Sequence, residues 1–121
     1  RKGKKTACGC PRIEIKVKKT QGSGKELIRE IEAGGYSFQV KSGHAYNRPH
    51  ATGSVQSFGS MDEIEQAIVD DIVSQTKSGY QFSLKRPEKN KHAVMINGNK
   101  VGYDVIWLGD RFSISTYYPK K

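Results

Sequence analysis

Cysteine is almost missing from this chain: Cys8 and Cys10, in a Cys-Gly-Cys run, are the only two in 121 residues. Two thiols need two further ligands to make a zinc site, and His44, His50 and His92 are too scattered to supply them. We therefore expect no metal and read Cys-Gly-Cys as part of a linker. Long apolar runs are missing too. None approaches the ~20 residues of a membrane span, so no membrane contact is expected. GxSxG, P-loop and paired-carboxylate patterns are also lacking, which leaves no cofactor to expect. Hydrophobic residues make up only 35%, yet they cluster in periodic runs. That suffices for one modest core without disulfide staples. No signal peptide is recognisable and the chain opens on Arg1, not Met, so we expect a piece processed from something longer.

Acidic residues are scarce: Lys and Arg number 21 against 12 Asp and Glu, for a net charge of +9. The excess lies in residues 1–25 and 76–121, around an acidic middle. Such a balance points to a polyanion partner, with ordinary solubility as the competing explanation.

Residues 1–12 (RKGKKTACGCPR) are basic and aperiodic, and are read as a linker or arm preceding a single domain over 13–121. Ile13, Ile15 and Val17 alternate as in a strand. Ser23 and Glu26 form a capping-box pattern, Leu27, Ile28 and Ile31 an apolar stripe, and Gly34-Gly35 a stop; together they predict a helix of about three turns. Residues 36–40 alternate again. Residues 41–59 read as a long polar loop. Ser60 and Glu63 repeat the capping box ahead of helically spaced Ile64, Ala67, Ile68 and Ile72, predicting a second helix to about residue 76. Its acidic residues are read as a solvated face. Residues 80–84, 92–97, 100–107 and 111–118 are β-rich, and Asn97-Gly98 and Gly109-Asp110 are tight links between antiparallel strands. The expected fold is α+β, with N-terminal helices packed on one face of a C-terminal antiparallel sheet.

The other sheet face would carry Arg111, Ser113 and Ser115, a platform for a phosphodiester or simply a wet surface. In the loop, Lys41, His44 and Arg48 have the composition that metal-free RNA cleavage needs. Histidine moves protons near neutral pH, and arginine or lysine neutralises the phosphorane. His50 and His92 are candidates for RNA contact, His92 because it lies next to Lys85, Arg86, Lys89 and Lys91.

Gly43-His44-Ala45-Tyr46-Asn47-Arg48, an amphipathic helix, and a last strand ending Ile114-Ser-Thr-Tyr-Tyr-Pro119 are the signature elements. In this order the chain resembles the toxin nucleases of the barnase/EndoU/colicin D/RelE superfamily over roughly residues 23–119. These are often C-terminal domains of polymorphic toxins such as those of contact-dependent growth inhibition. The resemblance implies metal-independent endoribonuclease activity, commonly on tRNA, leaving a 2′,3′-cyclic phosphate. It implies His44 as the catalytic histidine, Lys41 and Arg48 as transition-state cations, Thr116 as a last-strand hydroxyl with Ser113 or Ser115 nearby, and Tyr118 as a stacking or positioning group. It further implies a monomeric domain, secreted or delivered at the cell surface as part of a larger effector, acting in the target-cell cytoplasm and neutralised by an acidic cognate immunity protein. A non-catalytic RNA- or DNA-binding module would use the same basic surface and remains the alternative.

Overall fold

A computed structural model of the chain describes residues 15–47 and 53–120. The arm 1–12 lies outside them. Six strands form one sheet: β1 (Ile15–Gln21), β2 (Ile28–Ala33), β3 (Tyr36–Val40), β4 (Glu88–Ile96), β5 (Asn99–Trp107) and β6 (Phe112–Pro119). Among the described residues two α-helices lie between β3 and β4, α1 (Ser42–Tyr46) and α2 (Met61–Lys77). The fold is α+β, and the sheet order is β1-β2-β3-β6-β5-β4. Each half is an antiparallel meander, and the halves join through a parallel pairing of β3 with β6.

The C-terminal expectation holds. β4, β5 and β6 are antiparallel neighbours, and Asn97-Gly98, both at positive φ, makes the first hairpin turn. In α2 both halves of the capping box are present: Ser60 Oγ accepts from the Glu63 N–H at 3.1 Å, and Glu63 Oε1 accepts from the Ser60 N–H at 2.8 Å. The apolar stripe of α2 (Ile64, Ile68, Ile72) lies against β4 and shares one buried core with Val94 and Ile96 of β4 and Val101, Tyr103 and Val105 of β5. Residues 80–84, however, form no strand. They run alongside β5 with one ladder-like bond, from the Trp107 N–H to the Ser83 carbonyl (3.0 Å), while Tyr80 and Phe82 turn into the core.

The N-terminal half corrects the expected helices. Ser23 makes no side-chain cap; residues 24–26 form a single 3-10 turn, and the predicted helix is instead strand β2. Gly34 and Gly35, with φ of 59° and 87°, are not a helix stop but the two-residue turn of the β2–β3 hairpin. Such a turn needs positive φ at both positions, which glycine adopts without strain. The loop predicted over 41–59 contains the five-residue α1 and a 3-10 turn at Val55–Ser57.

The acidic residues of α2 are also not one solvated face. Asp62 and Glu63 are exposed, but Glu65 and Asp70 are each 1% exposed. Glu65 meets Arg29 of β2 at 3.0 Å and accepts from the Tyr117 hydroxyl at 2.7 Å. Asp62 adds a second contact to Arg29 at 2.9 Å. Burial holds the Glu65 carboxyl above its ordinary value, opposed by the Ser42 and Tyr117 hydroxyls and the Arg29 charge. An acid raised on folding adds stability below its unfolded value and loses it as pH rises through the folded one. Replacing Arg29 with Met leaves Glu65 buried without its cation, so unfolding in urea should show a loss of about 3–5 kcal/mol at neutral pH. That deficit should shrink as pH falls through the raised folded value of Glu65, above its ordinary 4.5, where the carboxyl takes up its proton. A pH-independent deficit would mean that Arg29 acts through packing alone.

Candidate functional site

Helix α1 closes the end of the β3–β6 seam. Phe38, Gln39 and Val40 pair with Phe112, Ser113 and Ile114, and the Lys41 N–H continues the ladder to the Ile114 carbonyl at 3.1 Å. The Gly43 N–H then bonds the Leu27 carbonyl at 2.8 Å, and Ser42 is buried, its hydroxyl donating to the Val40 carbonyl at 3.5 Å and lying close enough to the Glu65 carboxyl to favour its charged form. Ala45 is buried as well, and the Tyr46 hydroxyl donates to the Gly59 carbonyl at 2.9 Å. Two positions along a helix is a rotation of about 200°, so His44 projects away from the direction that anchors Ser42. His44 and Lys41 are both exposed. Arg48 and His50 lie outside the described residues.

The last strand supplies the other half of the constellation. Phe112, Ile114 and Tyr117 face α2, while Ser113 shares the outward face with Gln39. Asp104 pairs with Thr116 and Val105 with Ile114, so Ser115 is an extra residue in a β-bulge. Bulges re-aim side chains; this one lets Thr116 take the outward face although Ile114 and Tyr117 face inward. The Thr116 hydroxyl is buried and has no hydrogen-bond partner among the described residues. Beside it the Tyr118 hydroxyl donates to Asp104 Oδ1 at 3.2 Å. Arg111, just before β6, reaches across the seam to Gln39 Oε1 (3.3 Å) and also pairs with Asp110 at 3.2 Å. The outward face thus gathers Arg111, Ser113, Thr116 and Tyr118 on one strand, next to the strand end where α1 docks.

His92 stands apart from this group. It is 6% exposed in β4 on the α2 side, its Nε2 2.7 Å from Glu88 Oε1 and its ring stacked on Tyr103. The Tyr80 hydroxyl and the Ser83 N–H also donate to Glu88, and the Tyr103 hydroxyl donates to Asp71. Burial alone would raise Glu88, but the hydrogen bonds from Tyr80, His92 and Ser83 outweigh it and hold the carboxyl below its ordinary value. Asp71 goes the other way, raised by burial against the Tyr103 hydrogen bond.

Three features escaped the sequence reading. Asp104 was visible as the outward residue between Tyr103 and Val105, but its tie to Tyr118 depends on the β5–β6 register. Gly102 is the second. A Cβ there would lie 2.6 Å from Tyr118 Cε1, so this glycine makes room for the Tyr118 ring. The third is a cavity of about 370 Å³ walled by aromatic rings near the start of β3 and β6. No local pattern marks it, because its walls come from five separate segments.

Compared with known proteins, the chain matches no family model, no curated protein and no solved structure.

Two substitutions check this geometry. Gly102→Ala should push Tyr118 off Asp104, readable as shifted Tyr118 ring resonances while the melting transition remains cooperative; unchanged resonances would contradict the close approach. Glu88→Gln should cost about 1–3 kcal/mol at neutral pH through weakened hydrogen bonds to a charged acceptor. Because Glu88 is lowered on folding, its contribution is present above 4.5 and lost as pH falls through the folded value. The variant and the parent should therefore converge in acid, and parallel pH–stability curves would refute the assignment.

Proposed function

We propose that this domain is a metal-independent endoribonuclease of the barnase/EndoU/colicin D/RelE-like toxin class, acting on tRNA. One observation carries the reading. The two segments that bear the resemblance, Gly43–Arg48 and Ile114–Pro119, are far apart in sequence, yet α1 docks on β6 through the Lys41–Ile114 backbone bond.

In this mechanism the ribose 2′-oxygen attacks the adjacent phosphorus as its proton leaves to a base. The bond from phosphorus to the 5′-oxygen breaks, and that oxygen takes up a proton. The products are a 2′,3′-cyclic phosphate and a 5′-hydroxyl. His44, exposed on α1, is the principal proton-transfer group. Lys41 and Arg48 stabilise the phosphorane charge, and the outward hydroxyls of β6, Ser113 and Ser115, hydrogen-bond the phosphate oxygens, with the buried Thr116 hydroxyl behind them. Tyr118 stacks on or positions a base, Arg111, Ser113 and Ser115 extend the contact along the strand, and His50 is a further RNA contact. DNA has no 2′-hydroxyl and is not a substrate. The proposal includes delivery as part of a larger effector into a target-cell cytoplasm and silencing by an acidic immunity protein. The on-rate of that protein should fall as salt rises.

Total tRNA incubated with the domain in EDTA tests the activity: discrete fragments ending in a cyclic phosphate are expected. His44→Ala should cut the rate by about 10²–10⁴-fold while leaving salt-dependent RNA binding in place. Binding without cleavage by the parent domain would establish the non-catalytic module instead, and full activity in His44→Ala would remove His44 from the mechanism.

A further inference from the structure

The aromatic cavity has no part in the mechanism above. It lies on the α2 side of the sheet, at the start of β3 and β6, whereas α1 docks at the end of β3. Its volume of about 370 Å³ falls within the ~300–1,000 Å³ typical of small-ligand clefts. Phe82 and Phe112 form a buried floor, packed edge to face at 5.3 Å. Tyr36, Tyr80 and Trp107 are only partly buried around them. This leaves ring surface open to a flat occupant. Two polar groups join the walls. Gln81 is exposed and its amide both donates and accepts. Thr76 gives its hydroxyl proton to the Ile72 carbonyl at 2.9 Å and so presents an acceptor.

Charge narrows the choice of occupant. Leu84 at the lip is 64% exposed and is followed by exposed Lys85 and Arg86; Thr76 is followed by exposed Lys77. Lys91 lies 5.2 Å above the Tyr80 ring. Lys91 also lies 3.9 Å from Glu88 Oε1, but that carboxylate is shared with Tyr80, His92 and the Ser83 N–H, and Lys85 and Arg86 have no such neighbour in the ion pairs of the described residues. Open ring surface inside a cationic rim fits a planar heterocycle that carries an anion. Base–aromatic stacking contributes affinity for any base in single-strand binding proteins, because every base has a π-face. We propose that this cavity binds a nucleobase, with the attached phosphate held by the Lys77, Lys85 and Lys91 rim. The base belongs either to a free nucleotide or to an RNA strand. Only the second source rests on the ribonuclease reading.

Trp107 is the one tryptophan in the chain and lines the cavity, so its fluorescence reports occupancy directly. AMP, CMP, GMP and UMP should quench it saturably, and inorganic phosphate should not. A 2′-O-methyl oligoribonucleotide, which cannot be cleaved, should quench at lower concentration than the mononucleotides if an RNA strand is the source. Equal half-saturation per molecule would assign the site to free nucleotides. Leu84→Glu places a negative charge at an exposed lip position, so the fold is retained, as a melting curve will show. It should raise the half-saturating nucleotide concentration about tenfold. His44→Ala should leave mononucleotide quenching unchanged, which separates this site from the cleavage chemistry. Linear, unsaturable quenching by nucleotides would overturn the proposal. So would unaltered affinity in Leu84→Glu, or an apolar dye that saturates the cavity and is not displaced by nucleotide.

Discussion

The short parallel seam between β3 and β6 is the constraint on which the rest of the molecule depends. Three register pairs, Phe38–Phe112, Gln39–Ser113 and Val40–Ile114, turn two independent antiparallel meanders into a single sheet. The seam is stiffened from inside by the stacked rings of Phe38 and Phe112, 5.2 Å apart. Parallel neighbours cannot be joined by a tight turn and need a crossover connection. Here that connection runs through α1, α2 and the β4–β5 hairpin, and α2 covers the core side of the sheet. Both candidate sites follow from the seam: one at the end of β3 where α1 docks, the other where β3 and β6 begin.

Polar groups buried on the α2 side hold this arrangement in register. Arg29 lies in a strand position that should be apolar, and Glu65 in a helix position that should be apolar; each makes sense only with the other. Tyr117 and Ser42 complete the set around Glu65, linking β2, β6, α1 and α2 through one carboxylate. A second set, Tyr80, Glu88 and His92, fixes the segment after α2 against β4 and so shapes the wall of the aromatic cavity. Because buried charges without partners are costly, both sets disfavour alternative packings more strongly than an all-apolar core would.

What was legible in the sequence follows from the range of the interactions. Helix α2 was readable because its capping box and its 3.6-residue stripe are both local. The Asn97-Gly98 hairpin was readable for the same reason. The β2 segment was misread because Leu27, Ile28 and Ile31 fit helical spacing while the alternation Arg29-Ile31-Ala33 was hidden by a charge. That charge is explained only by Glu65, which lies on another element. Gly34-Gly35 served equally as helix stop and as hairpin turn. Of the candidate site, Lys41 and His44 could be singled out by residue type, and the outward residues of β6 by alternation up to the bulge at Ser115. That α1 docks on β6 was not readable, because a parallel pairing leaves no turn signal in the chain.

The central claim is that α1 and the outward face of β6 act together on RNA. The most direct test is a titration of the isotope-labelled domain with a 2′-O-methyl RNA that it cannot cleave, followed by amide chemical shifts. The account predicts that the largest changes fall on residues 41–47 and 113–118. Shifts that spare both segments, such as changes confined to the exposed face of α2, would contradict it.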